Sequence, residues 1–288
     1  MSRGRPGKLI AAPDARGLQY FWAFWAKGKV ARREDGERGE RGERVSRSRW
    51  LPNQHGAWAM LAVPFLAGTF LGHPRWVHLP LLAAWLLGYL AVYHAQQWLR
   101  LTRISRNPKA PRRHVRPALV FGSAGAAVGL ALSVSHPWLL LAAACAAPFV
   151  AVNSLYAYAN RERSLLNGVA AVIPACGMLL VALRLGGGSW GAGVAPALAC
   201  LLYFGGTVPY VKTMIRERNS AAYRRGSVAY HAAALVAASL LNPWLAAPFT
   251  LYLLRASLLP GRGLKVGVVG AVEVLCSLVL LGVVVGVF

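Results

Sequence analysis

Acidic residues are scarce in this 288-residue chain, which has 9 Asp and Glu against 32 Lys and Arg and a formal net charge of +23. Charged residues make up only 14% of the chain, whereas soluble domains average about 25%. A soluble nucleic-acid-binding protein with this net charge would carry Lys and Arg throughout. The 56% hydrophobic content and the mean hydropathy of +0.44 exclude that class and a disordered basic protein. They favour a membrane protein whose charges lie in its loops.

Cysteine pairs and metal-binding motifs are also missing. No C-x-x-C spacing, Gly-rich phosphate loop, zinc spacing or HExxH motif occurs. We interpret the four cysteines as small buried residues in apolar runs: Cys145, Cys176, Cys200 and Cys276. Glu162, Glu217 and Glu273 are the acids that follow residue 49, and they are a poor ligand set for Mg²⁺ or Ca²⁺. The sequence therefore predicts no cofactor and disfavours magnesium.

The first 49 residues differ in composition from the rest of the chain. They contain 13 basic and 6 acidic residues, and residues 33–44 form a low-complexity Gly-Glu-Arg repeat. Such a segment has nothing to bury, so residues 1–49 are predicted to be a disordered, basic cytoplasmic tail. The aromatic run at residues 18–26 is too short to cross a bilayer. It fits either an interfacial segment or a non-essential extension.

Residues 50–288 contain nine apolar runs of spanning length, separated by short polar loops. A bilayer core about 30 Å thick requires roughly 20 helical residues. The predicted spans are residues 55–72, 78–99, 117–135, 138–158, 165–184, 192–211, 227–242, 243–259 and 266–288. The sequence thus predicts an all-α bundle of about nine transmembrane helices, without a large soluble domain.

The charges of the loops predict the orientation of this bundle, because Lys and Arg are retained on the cytoplasmic side. Of the 19 Lys and Arg after residue 49, 17 are assigned to the even-numbered connections, with Arg255 counted in the eighth. Only Arg75 and Arg184 fall in odd-numbered connections. Those connections carry tryptophans suited to the headgroup region: Trp76, Trp138, Trp190 and Trp244. We predict a multi-pass protein of the bacterial plasma membrane, with its amino terminus inside and its carboxyl terminus outside.

Polar side chains gather at the predicted cytoplasmic ends of the helices. A polar group near lipid is costly unless it faces a cavity or a partner, so these residues are candidates for function. We assign acid–base chemistry to His55, His94 and Glu217. The predicted ligand-binding residues are Asn53, Gln54, Gln97, Arg100, Arg116, Asn153, Tyr156, Tyr210, Lys212, Arg216, Arg218, Tyr230 and His231. Together they predict a cationic cavity for a lipid or amphiphile that carries a phosphate, diphosphate or carboxylate.

Each of these features also has a structural interpretation. The basic loop between the second and third spans fits a positive-inside anchor on anionic lipids. His55 fits an interfacial histidine, His94 with Gln97 fits a hydrogen bond between helices, and residues 216–218 fit a local ion-pair cluster. Glu273, within the last span, fits either a proton-relay or transport residue or a hydrogen-bonded packing residue.

Two segments closely resemble the signatures of the YwiC-like family of bacterial membrane proteins. They are PNQHGAWAMLAVPF at residues 52–65 and PYVKTMIRERN at residues 209–219. The resemblance covers roughly residues 50–288. It implies a membrane protein but no particular activity, because the family has no established one to carry over.

A weaker resemblance, in architecture, is to the UbiA-type intramembrane prenyltransferases. RPAL at residues 116–119 is similar to the Arg-Pro-Leu that opens the third helix of those enzymes, and NSLYAY at residues 153–158 stands at a corresponding helix end. Both of their magnesium-binding, aspartate-rich motifs are missing. The resemblance therefore implies a UbiA-like helix arrangement and, if the protein is an enzyme, a prenyltransferase-like lipid-modifying enzyme without the usual Mg²⁺ site.

Three functions remain open from the sequence. The first is binding of a lipid, isoprenoid or quinone-like amphiphile in the predicted cavity. The second is a proton, ion or solute transporter, with Glu273 and the histidines along its path. The third is a non-catalytic membrane partner of a respiratory or cofactor-assembly complex. The predicted partners are membrane lipids, with anionic headgroups at the basic loops, and no nucleic acid.

Overall fold

The computed structural model describes residues 50–52 and 55–288 of the chain. The predicted tail and its aromatic run, like Asn53 and Gln54, lie outside the described residues. Over the described part, the structure is helical and has no strand. Its helices are α1 (His55–Leu71), α2 (His78–Ile104), α3 (Lys109–Ser135), α4 (Trp138–Tyr158), α5 (Leu165–Leu185), α6 (Trp190–Ile215), α7 (Ala221–Leu241), α8 (Ala246–Leu258) and α9 (Val266–Val287). The predicted all-α fold is confirmed.

The helix ends differ from the predicted spans mainly at the basic connections. Beyond the predicted spans, α2 continues to Ile104 and α6 to Ile215, and α3 begins at Lys109 and α7 at Ala221. Lys and Arg are good helix formers, so a helix that has already nucleated continues through them although they are not apolar. Between the seventh and eighth predicted spans, a 3-10 turn at Pro243–Leu245 separates α7 from α8. The Asn242 side chain caps this turn by accepting a hydrogen bond from the Trp244 N–H at 3.0 Å.

Six helices are long and apolar enough to cross a membrane, namely α2, α3, α4, α5, α6 and α9. The protein is therefore a multi-pass membrane protein. The other three fall short by length or composition: α1 has 17 residues, α8 has 13, and α7 carries Arg224 and Arg225 near its start. The described part thus contains nine helices, and six of them are long and apolar enough to span a membrane.

The core of the bundle lies among α1, α5, α6, α7, α8 and α9, which share one cluster of buried apolar side chains. The α2–α3 hairpin and α4 flank this core. The spanning window of α4 is 0% buried and that of α3 is 6% buried, so both present apolar surface outward. Such surface suits contact with lipid chains. Cys145, which we predicted to be buried, lies exposed on α4 because of this peripheral position, whereas the other three cysteines are buried.

The connections segregate to two ends of the bundle. At one end, the Trp138 and Trp190 rings lie 5.3 Å apart, and His78 Nε2 lies 2.9 Å from the Ala182 carbonyl oxygen. The opposite end, called the basic end, holds residue 50 and the connections at residues 105–108, 159–164, 216–220 and 259–265. The basic end and its adjoining helical turns contain 17 of the 19 Lys and Arg that follow residue 49.

Candidate functional site

A polar cluster at the basic end joins the end of α2 to the connection after α4. Arg100 Nη1 lies 3.2 Å from Glu162 Oε2, and Arg100 Nε donates to Asn160 Oδ1 at 2.9 Å. Gln97 Nε2 donates to Glu162 Oε1 at 3.3 Å. Asn160 adopts a left-handed conformation with φ of 55°, which suits asparagine and ends α4 at this point. Arg100, Asn160, Glu162 and Arg163 line a small surface cleft.

Two further exposed cations, Arg163 and Arg216, belong to the connections after α4 and after α6. Partial burial and, secondarily, the Arg163 guanidinium lower the pKa of the Arg216 side chain, which lies beyond the end of α6. Arginine nevertheless keeps its charge in proteins. Arg163 and Arg216 have no carboxylate partner within 4.0 Å among the described residues. Their mutual repulsion would be relieved by an anion that contacts both side chains.

His94 is enclosed between α2, α3 and the residues before α1. It is 1% exposed, its Nε2 lies 3.0 Å from the Trp50 carbonyl oxygen, and its Nδ1 lies 2.9 Å from His114 Nδ1. A carbonyl only accepts, so Nε2 of His94 carries the hydrogen atom. In a neutral pair, His114 then donates from Nδ1 and keeps a lone pair on Nε2. His114 is therefore the ring with a nitrogen, Nε2, that is free to accept a hydrogen bond. Its hydrogen bond to His94 fixes the orientation of this ring.

His114 was not among the predicted site residues, because it lies among arginines before the predicted start of the third span. His94 lies 10 residues before the end of α2 and His114 lies 5 residues after the start of α3, so matching distances from the connection would not have paired the two rings. The side chain of His55, the third predicted acid–base group with Glu217, lies outside the described part. Glu217 is half-buried beyond α6 and forms no ion pair within 4.0 Å with a described residue.

The remaining predicted ligand-binding residues are dispersed. Arg116 lines a shallow groove on the outer face of α3, and Asn153 Nδ2 donates to the Asn167 carbonyl at 3.4 Å. The Lys212 ammonium lies 5.6 Å from the Tyr223 ring centroid. Tyr156 is half-buried, and the Arg218 guanidinium donates to the carbonyls of Met214 and Leu264. These five residues thus make separate contacts, whereas Gln97 and Arg100 share one cluster.

Tyr210 and His231 belong instead to a cluster inside the bundle, which also contains Arg255 and Glu273. Arg255 Nη1 donates to Glu273 Oε1, and Arg255 Nη2 lies 3.4 Å from His231 Nε2. The Arg255 guanidinium carbon lies 4.2 Å from the centroid of the Tyr210 ring. Tyr230, whose hydroxyl donates to the Leu202 carbonyl at 3.1 Å, lies beside His231.

Arg255 was counted with the cytoplasmic charges around the turn after the eighth span, but its side chain is buried. Arg255 is 5% exposed and lies within α8, where Glu273 of α9 supplies the opposite charge. It was grouped with Arg262 and Lys265 because all three are close in sequence. Its apolar surroundings in LYLLRASLL were the overlooked signal, since a lone cation in one apolar run and a lone acid in the next predict a buried pair.

Comparison with known proteins identifies the family to which this chain belongs. The chain is 33% identical over 229 residues to "Uncharacterized protein YwiC" of Bacillus subtilis (strain 168), covering 78% of this chain and 92% of that protein. It is 32% identical over 233 residues to an "Uncharacterized protein" of Haemophilus influenzae, covering 77% and 92% respectively. No solved structure matches the chain, so the UbiA-like arrangement stays a prediction. The YwiC-like protein family matches residues 51–183, and the chain belongs to that family.

Proposed function

We propose that the protein binds an anionic amphiphile, such as a lipid, isoprenoid or quinone-like molecule, at the basic end, and that this end faces the cytoplasm. The observation that carries the proposal is that Arg163 and Arg216, from two different connections, are close enough for the Arg163 charge to lower the pKa of Arg216. Neither has a carboxylate within 4.0 Å among the described residues, so both guanidinium groups can donate to a phosphate or carboxylate. Arg100 differs from them, because Glu162 already balances its charge.

The surroundings of these two arginines suit the apolar part of such a ligand. Leu155 on the last turns of α4 is 67% exposed, and Leu166 on the first turn of α5 is 66% exposed. Both lie on the helices that flank the connection containing Arg163. A headgroup at the arginines would therefore leave its chain against apolar surface that already faces lipid.

The proposal predicts selective loss of anionic amphiphiles from a double variant at these arginines. Arg163→Gln/Arg216→Gln should bind phosphatidic acid at least about tenfold more weakly, because two charge-assisted contacts together contribute about 1.5 kcal/mol or more. Native mass spectrometry of the purified protein, titrated with phosphatidic acid, phosphatidylcholine of the same acyl chains and an isoprenyl monophosphate, measures this. Arg224→Gln/Arg225→Gln removes the same net charge at the same end and is the matched control.

The two double variants together distinguish a specific binding site from non-specific attraction of anions to a basic surface. Binding at a specific site is weakened by Arg163→Gln/Arg216→Gln and is almost unchanged by the control. An equal loss of binding in both double variants would mean that only the surface charge of the basic end matters. Equal retention of phosphatidylcholine and phosphatidic acid by the unsubstituted protein would contradict the proposal. Relative affinity for the isoprenyl phosphate separates a lipid-headgroup site from one that selects an isoprenoid chain.

The orientation is tested independently by cysteine labelling. Arg75→Cys lies at the tryptophan-rich end and Arg106→Cys at the basic end. With a membrane-impermeant maleimide, we expect the first variant to be labelled in intact cells and the second only after permeabilisation. The unsubstituted protein, whose Cys145 lies on a lipid-facing helix, supplies the background. The reverse pattern would place the basic end outside the cytoplasm.

A further inference from the structure

The Arg255–Glu273 pair joins the last turn of α8 to the spanning helix α9, in which ionisable groups are costly and usually functional. Glu273 is the eighth residue of α9, about 10 Å along the helix from its basic end at a rise of about 1.5 Å per residue. Its side chain and that of Arg255 come from neighbouring helices and are shielded on all sides. Three tyrosine rings surround the guanidinium, with centroids 4.2, 5.6 and 5.7 Å from its carbon: Tyr210, Tyr252 and Tyr203.

Hydrogen bonds restrict which member of this cluster can change its charge. Arg255 is permanently protonated. His231 Nδ1 lies 2.7 Å from the Ser227 carbonyl oxygen and must donate to it, so Nε2 of the neutral ring accepts from Arg255. A proton added to His231 Nε2 would point at the N–H groups of Arg255 and would remove the hydrogen bond between them. Glu273 is therefore the group in this cluster that can gain a proton without losing its contact with a hydrogen-bond donor.

Glu273 also has an open position for that proton. Its Oε1 accepts from Arg255, whereas its Oε2 is buried without a hydrogen-bond partner in the described structure. The Tyr210 hydroxyl and Arg255 Nε are likewise buried without one. Glu273 is 7%, Arg255 5% and Tyr210 0% exposed. Buried polar atoms are normally satisfied, and three open ones in one cluster indicate a site where a proton or water binds.

The Arg255–Glu273 pair also attaches the short helix α8 to α9. Arg255 and Tyr252, whose hydroxyl donates to the Cys276 carbonyl at 3.0 Å, attach α8 to α9. The connection that follows α8 contains Gly261 and Gly263 in left-handed conformations, with φ of 88° and 65°. Loss of the charge on Glu273 would remove the ionic contact that holds α8, and this connection can absorb a change in its position.

We propose that Glu273 is an intramembrane proton-binding site of a proton-coupled transport step. A proton from water at the basic end adds to Oε2, the carboxylate becomes a neutral carboxyl group, and no other bond forms or breaks. Arg255 then loses its ionic partner, which weakens the attachment of α8 to α9 and leaves the Tyr252 hydrogen bond in place. The titratable and charged groups around Glu273 are Arg255 and Tyr252 from α8, His231 from α7, Tyr203 and Tyr210 from α6, and Cys276 from α9. The site is separate from the proposed amphiphile site.

Infrared difference spectroscopy of the purified protein in lipid, between neutral and acidic pH, tests the proton site. We expect the carbonyl band of a protonated, buried carboxyl group to appear on acidification and to shift in D₂O. Glu273→Gln should lose this band, and Glu217→Gln, which removes a glutamate outside the cluster, should retain it. Identical difference spectra for the unsubstituted protein and Glu273→Gln, over the range in which both stay folded, would overturn the proposal.

A second measurement and variant cover the possibility that Glu273→Gln does not fold. Glu273→Asp keeps the carboxyl group and should move the titration midpoint of the band without abolishing it. In proteoliposomes with an imposed pH gradient and a trapped pH indicator, the unsubstituted protein should collapse the gradient faster than empty vesicles. A protein that shows neither the band nor any flux contradicts the proton site, whether or not anionic amphiphiles bind at Arg163 and Arg216.

Discussion

Arg255→Met in the otherwise unchanged chain should destabilise the bundle by about 3–5 kcal/mol, because it leaves one charge of a buried pair without its partner. Glu273 would then stay ionised among apolar side chains or would have to bind a proton. Methionine retains much of the volume and flexibility of the aliphatic part of arginine, so the substitution tests charge more than packing. The measurement is the fraction of protein that stays monodisperse in gel filtration after heating in detergent.

The double variant Arg255→Met/Glu273→Leu separates the charge from the contacts. Because apolar residues of similar volume often replace a buried ion pair at little cost, this variant should recover most of the stability lost by Arg255→Met alone. A double variant as unstable as the single one would show that packing of the guanidinium against Tyr210, rather than its charge, stabilises α8. The same double variant should lack the carboxyl band assigned to Glu273.

The sequence predicted the helices well because their boundaries depend on local chemistry. Pro137 and Pro243 precede helix starts, tryptophans mark one end, and arginines mark the other. Because acids are scarce after residue 49, the sequence also singles out Glu162, Glu217 and Glu273. Whether a side chain is buried depends less on the neighbouring sequence. Arg255 and Arg262 are seven residues apart, yet Arg255 is buried and Arg262 is exposed. The apolar neighbours of Arg255 distinguish it from Arg262 in the sequence, but its pairing with Glu273 depends on how α8 packs against α9.

The candidate sites were harder to predict because sequence proximity does not imply a shared face. Residues 209–219 were interpreted as one signature, but their Tyr210 contacts Arg255 inside the bundle, while Arg216 lies exposed in a connection at the basic end. The six-residue separation places them more than one helical turn apart. One conspicuous segment thus contributes to two different sites, and α6 connects them directly. A movement of α8 against Tyr210 would act on the same helix that positions Arg216.

Glycine permits a close backbone approach between α1 and α5. A Cβ atom at Gly68 would lie 2.2 Å from the Leu179 carbonyl oxygen, and one at Gly72 would lie 2.4 Å from that of Leu183. Both obstacles are backbone atoms, which cannot turn aside as a side chain can. In a membrane, where burial of apolar surface does not drive helices together, such close backbone approach is a main source of association.

Gly68→Ala should therefore destabilise the bundle by about 3 kcal/mol, the upper part of the range for overpacking, although alanine favours helix over glycine by about 1 kcal/mol. Gly177→Ala is the matched control, because it lies on the partner helix α5 and its added Cβ would meet nothing within 4 Å. The control should be neutral or slightly stabilising. Thermal unfolding in detergent measures both, and equal stability of the two variants would mean that α1 and α5 are not held at this distance in the membrane.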